Sequence, residues 1–164
     1  MSVTELGSIP LFAGLTAEQL VSVGAVLRPA RAAVGEAILT EGDPGTSMFV
    51  LVAGTVETTK HLGILGLDGA TPRQKVLVRL AAPQFFGEIG LLEEAPRSAS
   101  VRAATPCELL ELRREDFDRL VGADVRLGYT LVRNIAASLI VRLRDTDRDI
   151  LKLTAALSIA LGNR

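Results

Sequence analysis

Residues 86–101 read FGEIGLLEEAPRSASV, and this stretch carries the strongest indication of both fold and site. Residues 86–92 are mostly apolar and include Gly87 and Gly90, which predicts a short helical turn between strands. Glycine lets backbone N–H groups at such a turn approach an anion closely. Arg97 follows Glu88 by nine residues, and a turn at Pro96 can return it to the same place. The stretch therefore predicts an anion-binding pocket with Arg97 beside Glu88.

The side chains of this stretch suit a ligand that carries one phosphate and a sugar hydroxyl. The planar guanidinium of Arg97 matches a phosphate in bidentate geometry. Ser98 adds a hydroxyl, and the small Ala99 leaves its backbone N–H accessible. Glu88 is an acceptor-only carboxylate that can take a hydrogen bond from a ribose hydroxyl.

Short β-rich runs lie on both sides of this stretch. They fall at residues 37–40, 48–53, 55–60, 75–80, 99–103 and 107–112. Turn-forming residues separate them, as at 41–45, 53–54, 67–69 and 95–96. Many short strands with regular turns are typical of a sandwich or jelly roll. The residues thus favour a mainly β fold.

Helical patterns begin and end the chain. Thr16 can cap a first helix, with Gln19 at the capping-box position. Residues 114–121 predict a short helix that Gly122 breaks, and Asp124 can cap a last helix running to about residue 161. At 1.5 Å per residue this last helix would be roughly 57 Å long. That exceeds the diameter of a domain of this size, so part of it must pack outside its own body.

The last helix carries a heptad pattern of apolar residues. The two positions of the pattern are filled by Ala136, Leu143, Ile150 and Leu157, and by Val132, Leu139, Thr146, Leu153 and Ala160. Such a pattern is typical of a helix dimer, parallel or antiparallel. The alternative is a helix lying along its own β-body, which explains the first half but leaves residues 153–161 without a partner.

Composition excludes several classes of function. Of 164 residues, 48% are apolar and 23% are charged, which is typical of one globular domain. One cysteine and one histidine leave no cysteine-based zinc site and no multi-histidine metal site. No nucleophile–base pair is evident, so we expect neither an enzyme nor a bound metal. No secretory signal or membrane span is evident, which favours a cytoplasmic location.

Charge is unevenly distributed along the chain. Residues 1–125 carry 11 Lys and Arg against 16 Asp and Glu, whereas residues 126–164 carry 7 against 3. The acidic body and the basic tail therefore read as different structural units. The formal net charge of −1 and the six aromatic residues argue against a general nucleic-acid binder.

The segment 86–101 resembles the phosphate-binding cassette of the cyclic-nucleotide-binding domain family. The resemblance covers most of residues 8–145, including Leu11-Phe12 with the first helix, Gly35-Glu36, Glu41-Gly42-Asp43 and the run 48–51 leading to Gly54. It implies that Gly87 lies at the cassette entrance, that Glu88 takes the ribose 2′-hydroxyl and that Arg97 pairs with the cyclic phosphate. The further ligand-binding residues that it implies are Ile89, Gly90, Ser98, Ala99, Leu77, Val78 and Thr146, the last of which contacts the base from the final helix.

The resemblance also implies the architecture. We expect an eight-stranded jelly roll (β-roll) with an N-terminal helix, a short cassette helix and a long C-terminal helix. Residues 1–121 would form the cyclic-nucleotide-binding roll, and residues 122–164 a lid and dimerisation helix. The given chain ends at Arg164, just after that helix, so we expect no DNA binding by this chain alone.

Two functions remain open from the sequence. The first is a cyclic-nucleotide sensor that signals through its C-terminal helix to an unknown downstream protein. The second is a ligand-independent interaction module on the same fold. The joint presence of Glu88 and Arg97 favours the sensor, since a buried unpaired arginine is costly. Local resemblance to cAMP-binding members favours cAMP, with cGMP and a cyclic dinucleotide as alternatives.

Overall fold

The computed structural model describes residues 2–62 and 73–162, and the predicted turn at 67–69 lies outside them. The chain begins with helix α1 (Val3–Gly7), a 3₁₀ turn (Pro10–Phe12) and helix α2 (Ala17–Gly24). The predicted capping box of α2 is present, since Gln19 N donates to Thr16 Oγ1 and Thr16 N donates to Gln19 Oε1. The sequence analysis had not identified α1.

Eight strands in the described residues form two four-stranded antiparallel sheets, as the resemblance implies. Their bounds are β1 (Arg28–Ala32), β2 (Ala37–Leu39), β3 (Ser47–Ala53), β4 (Thr55–Leu62), β5 (Arg73–Ala81), β6 (Gln84–Phe86), β7 (Ser100–Ala103) and β8 (Cys107–Arg113). The strand orders are β1-β8-β3-β6 and β2-β7-β4-β5. The mainly β expectation is therefore confirmed, and the six β-rich runs correspond to six of these strands.

Strands β1 and β6 were missed by the analysis of β-rich runs. β1 has the sequence RPARA, in which a proline and two arginines mask any apolar alternation. It lies at the edge of its sheet, where a proline is tolerated because one side of the strand makes no ladder hydrogen bonds. β6 is only three residues long and is defined by its pairing with β3.

Two apolar cores lie within the described part of the chain. One lies between the sheets and includes Leu51, Val56 and Phe86. The other lies between the helices and the first sheet and includes Phe12, Phe85 and the buried face of the last helix. Phe85 and Phe86 are consecutive in a strand, so their side chains point to opposite faces and serve the two cores separately. β6 therefore fixes the position of the segment that follows it.

After β6 comes the predicted short helix, α3 (Ile89–Leu92), and after β8 come α4 (Arg114–Ala123) and α5 (Val125–Gly162). The prediction that Gly122 breaks the helix is wrong in position, because α4 continues through Gly122 to Ala123. The break falls at Asp124, which is extended with φ −140° and ψ 99°. The capping role of Asp124 is confirmed, since its Oδ1 accepts from the backbone N–H groups of Arg126 and Leu127.

Helix α5 has 38 residues, and its two halves have different surroundings. Leu127, Leu131 and Ile135 are buried against the helical core. Asn134 Nδ2 donates to Leu11 O and Ala13 O at 2.9 and 2.8 Å, which ties α5 to the start of the chain. Every residue from 143 to 161 is exposed. The first half of α5 therefore packs on its own body, and no contact with the residues described here buries the second half.

Candidate functional site

Arg97 stands between β3 and α3, where backbone oxygens hold its guanidinium. Nη1 donates to Ser47 O at 2.6 Å and to Gly87 O at 3.3 Å, and Nη2 donates to Ser47 Oγ at 3.2 Å. Its backbone is anchored as well, since Arg97 N donates to Asp43 O at 2.8 Å. The loop after α3 thus returns Arg97 to the cassette, as its sequence spacing predicts.

The two glycines of the cassette are required for different reasons. Gly87 has φ +78°, a conformation that residues with a side chain rarely adopt. A Cβ on Gly90 would lie 2.6 Å from Arg97 Nη1 and 3.1 Å from Ser47 O. Gly90 therefore provides the space that the guanidinium of Arg97 occupies.

The charge of Arg97 is not neutralised locally. Its hydrogen-bond partners are neutral groups, and no carboxylate lies within ion-pair distance among the described residues. Burial lowers the pKa of Arg97 from its ordinary value; the charges of Glu111 and Asp43 oppose this effect, and the charge of Arg114 adds to it. A half-buried guanidinium without a counter-ion is an electrostatic site for an anion.

Glu88 is 4% exposed and directly precedes α3. Its Oε1 accepts from Arg142 Nη1 at 2.9 Å. Its Oε2 is buried and has no hydrogen-bond partner among the described residues. A buried carboxylate oxygen without a donor is costly, so this atom is available to a ligand hydroxyl.

The sequence analysis did not identify Arg142 as a site residue. Its Nη2 donates to Phe85 O at 2.5 Å, and its guanidinium lies 5.5 Å from the centre of the Phe85 ring. The signal that could have found it is spacing, because Arg142 continues the helix face of Leu127, Leu131 and Ile135. It joins α5 to the cassette.

Arg114 is a second residue that the sequence analysis missed. Nε and Nη2 donate to Gly90 O at 2.9 and 2.7 Å, and Nη2 also donates to Gly45 O at 3.1 Å and to Glu93 O. Its side chain is 17% exposed, and Nη1 lies 3.2 Å from Glu94 Oε1. Because Arg114 is the first residue of α4, it connects the end of α3 to the helices that follow the roll.

A cavity of about 150 Å³ brings most of the predicted site residues together. Its lining includes the predicted residues Val78, Gly87, Glu88, Ile89, Gly90, Arg97, Ser98 and Ala99. Arg142 lines it as well, together with apolar side chains such as Leu39 and Leu80. An unpaired cation, a carboxylate oxygen and an apolar wall therefore share one pocket.

Two predicted site residues lie outside this lining. Leu77 is 53% exposed and falls at the register shift between β4 and β5. Thr146 is exposed, and its Oγ1 donates to Arg142 O at 2.9 Å within α5. Their roles stay predictions.

The fold and this pocket define a class of protein, and the comparison with family profiles agrees. The profile of the cyclic nucleotide-binding domain matches residues 30–124. The chain belongs to the cyclic nucleotide-binding domain family, whose members are regulatory domains. Within the described residues, we find no cluster of His, Cys, Asp and Glu that could hold a metal ion.

Curated relatives place similar sequences inside longer proteins. The cyclic AMP receptor protein of Thermus thermophilus is 32% identical over 86% of this chain, which spans 60% of that relative. Glutaminase 1 of Bradyrhizobium diazoefficiens is 35% identical over 85% of this chain, which spans 21% of that relative. The matching region is thus one part of each relative.

Solved structures share the fold. The catabolite activator protein of Thermus thermophilus has a TM-score of 0.71 at 32% identity, over 88% of this chain and 63% of that one. A cyclic nucleotide-binding domain from Methylobacillus flagellatus has a TM-score of 0.80 at 24% identity, over 91% of this chain and 82% of that one, a likeness of fold alone. Of the helices in the described parts, none combines the length and apolar character needed to cross a bilayer.

Proposed function

We propose that this chain is a cyclic-nucleotide sensor domain. The observation that carries the proposal is that two groups in one cavity have no complementary partner among the described residues: the guanidinium of Arg97 has no counter-ion, and Glu88 Oε2 has no hydrogen-bond donor. A cyclic nucleotide supplies one phosphate anion and one ribose hydroxyl on a rigid frame. Both groups of the site would be satisfied by the same ligand.

Each residue of the site has a proposed role. Arg97 binds the cyclic phosphate, with the hydroxyl of Ser98 and the backbone of Ala99 beside it. Glu88 accepts from the ribose 2′-hydroxyl through Oε2. Val78 and Ile89 contribute apolar wall, and Leu77 and Thr146 approach the base from its open side. Gly87 and Gly90 keep the backbone close to the phosphate.

We favour cAMP as the ligand. The relative from Thermus thermophilus is named a cyclic AMP receptor protein, and a protein of Drosophila melanogaster that is 34% identical is named a cGMP-dependent protein kinase. Both names support a cyclic mononucleotide, and the greater coverage by the first favours cAMP. The proposed role is regulatory rather than enzymatic, in the cytoplasm.

The proposed signal passes from the cassette to α5. Arg142 joins Glu88 to this helix, and the extended residue Asp124 gives a point at which α5 can change direction. A ligand shifts such an equilibrium only by its different affinity for the two placements of the helix. The exposed heptad face of α5 would then pair with a second copy of the chain, forming a homodimer that acts on a downstream protein.

The test is calorimetric titration of the chain with cAMP, cGMP and a cyclic dinucleotide. We expect one of the two cyclic mononucleotides to bind. We also expect Arg97→Ala to weaken that binding by about 30- to 1000-fold, because a charge-assisted bidentate contact is lost. Arg102→Ala is the matched control, since Arg102 is exposed and donates to Gly35 O away from the cavity. Absence of binding by all three nucleotides would favour the ligand-independent module.

A further inference from the structure

One polar side chain in the wall of the cavity has no role in the proposed site. Among the described residues, the polar side chains that line the cavity are those of Thr58, Glu88, Arg97, Ser98 and Arg142. Glu88 and Arg142 form an ion pair, and the ribose hydroxyl is the proposed partner of the second carboxylate oxygen of Glu88. Arg97 and Ser98 have proposed roles at the phosphate. Thr58 is therefore the one that remains unassigned.

Strand pairing fixes Thr58 in the wall of the cavity. On β4, Thr58 lies opposite Val101 of β7 on one side and Val78 of β5 on the other, and both valines also line the cavity. Residues that lie directly opposite each other in antiparallel strands project from the same face of the sheet. The next residue, Thr59, lies opposite Ser100, and neither of these two lines the cavity. Thr58 and Thr59 thus belong to opposite faces of the strand.

The hydroxyl of Thr58 makes no hydrogen bond with any residue that the structure describes. The surroundings of this hydroxyl on the second sheet are apolar, because the other side chains that this sheet contributes to the lining are Leu39, Val78, Leu80 and Val101. A ligand that displaces water from this wall must replace the hydrogen bonds of the hydroxyl or lose affinity. The wall therefore favours a ligand with apolar surface and a polar atom that can reach Thr58.

The division of the cavity indicates which part of a nucleotide faces this wall. Arg97 and Glu88, the groups assigned to the phosphate and the ribose, both belong to the cassette, which forms the other side of the cavity. In the proposed complex they hold the cyclic phosphate and its fused ribose on that side. The base is the remaining part of the ligand, and the second sheet is the remaining wall. A base has apolar faces and a polar edge, which suit an apolar wall with one hydroxyl.

We propose that the Thr58 hydroxyl forms a hydrogen bond with the polar edge of the purine base, which makes Thr58 a specificity-determining residue of the site. This inference rests on the proposed function for its ligand. A hydroxyl both donates and accepts, so it can meet a ring nitrogen, an amino group or a carbonyl oxygen. Since the other side chains of this wall are apolar, the sheet would recognise the base through one hydrogen bond.

Calorimetric titration of three variants of the full chain with cAMP tests the role of the hydroxyl. Thr58→Val keeps the shape of the side chain without its hydroxyl and should weaken binding by about 3- to 30-fold. Thr58→Ser keeps the hydroxyl and should bind within about threefold of the wild type. Thr59→Val is the matched control and should bind as the wild type does, because Thr59 is a buried neighbour outside the lining. Unchanged or tighter binding by Thr58→Val overturns the proposal.

Analogues of cAMP locate the contact on the ligand. The 1-deaza, 3-deaza, 7-deaza and 6-deamino forms each lack one polar group of the base edge. The analogue without the group that Thr58 contacts should bind the wild type about 3- to 30-fold more weakly than cAMP and lose little more in Thr58→Val. If Thr58→Val weakens cAMP and all four analogues by the same factor, the hydroxyl does not contact the base, and the proposal is wrong.

The same titrations separate this inference from the proposed function. If the wild type binds cAMP, Arg97→Ala weakens that binding and Thr58→Val does not, the role of Thr58 is refuted and the sensor remains. If the wild type binds cGMP more tightly than cAMP, the same variants and the matching analogues of cGMP give the same two outcomes. If the wild type binds neither nucleotide, the proposed function fails, and the role of Thr58 fails with it.

Discussion

Arg142 Nη1 lies 2.9 Å from Glu88 Oε1, so a residue of the long C-terminal helix touches the floor of the candidate nucleotide site. The contact spans 54 residues of sequence and joins the two parts of the chain that the proposed mechanism must connect. It occupies one oxygen of the carboxylate and leaves the other free. A ligand can therefore bind Glu88 without first breaking the helix contact.

Removing the arginine should destabilise the ligand-free protein. Arg142→Met leaves a 4% exposed carboxylate without its counter-charge, which should lower the free energy of unfolding by about 1–3 kcal/mol. Urea unfolding followed by circular dichroism measures the change. Arg144→Met is the control, because Arg144 is exposed on another face of α5. Equal stability of the two variants would show that the Glu88–Arg142 contact contributes nothing.

Replacing the carboxylate should affect ligands that carry a 2′-hydroxyl. Glu88→Gln should weaken cAMP binding by about 5- to 30-fold, less than Arg97→Ala, because a hydrogen bond to a charged acceptor is lost. A 2′-deoxy analogue should bind the wild type weakly and lose little more in the variant. If the affinity lost with the 2′-deoxy analogue and the affinity lost in Glu88→Gln simply add when both changes are combined, Glu88 does not contact the ribose.

A methyl group at Gly90 should disturb the anion site more than the fold. Its Cβ would lie 2.6 Å from Arg97 Nη1, so the guanidinium must move, and Gly90→Ala should weaken nucleotide binding by about tenfold or more. The matched control is Gly122→Ala, since a Cβ there meets nothing within 4 Å. That control should raise stability by at most about 0.5–1 kcal/mol, because alanine favours a helix more than glycine does and Gly122 lies in the last turn of α4. Wild-type affinity in Gly90→Ala would contradict the placement of Arg97.

The cap of α5 should make stability depend on pH in the acid range. A hydrogen bond from Gln19 is the largest cause that lowers the pKa of Asp124, followed by one from the backbone of Leu127. A carboxylate with a lowered folded pKa contributes stability that is present above its unfolded value of about 3.9 and is lost as pH falls through the folded pKa. Asp124→Asn keeps a capping side chain without the titration, so its stability should vary less with pH below about 4. If the stability of both proteins falls by the same amount as the pH is lowered, Asp124 does not cause the pH dependence.

The features that could be predicted from the sequence are those that depend on residues close together in the chain. The capping box of Thr16 and Gln19, the short helix α3 and the cap at Asp124 each depend on residues a few positions apart, and each is present. The family fold followed from one cassette. The placement of Glu88 and Arg97 in one cavity could be predicted because the turn that returns Arg97 is also short.

The sequence analysis did not predict contacts between residues that are far apart in the chain. Arg114 reaches Gly45 across 69 positions, and Arg142 reaches Glu88 across 54. These contacts depend on how α4 and α5 pack against the roll, and no local sequence pattern predicts that packing. The break between α4 and α5 was placed at Gly122 because glycine often ends helices, but the side-chain cap of the next helix sets it at Asp124.

Arg142 is also the last residue of α5 that makes a hydrogen bond to the roll within the described residues. Beyond it, α5 continues for some twenty residues without a buried position, a free arm of about 30 Å at 1.5 Å per residue. A tilt of α5 by about ten degrees would move the tip of this arm by roughly 5 Å relative to Arg142. A rearrangement around one bound ribose that leaves the roll unchanged would thus move the far end of α5 by about the pitch of one helical turn.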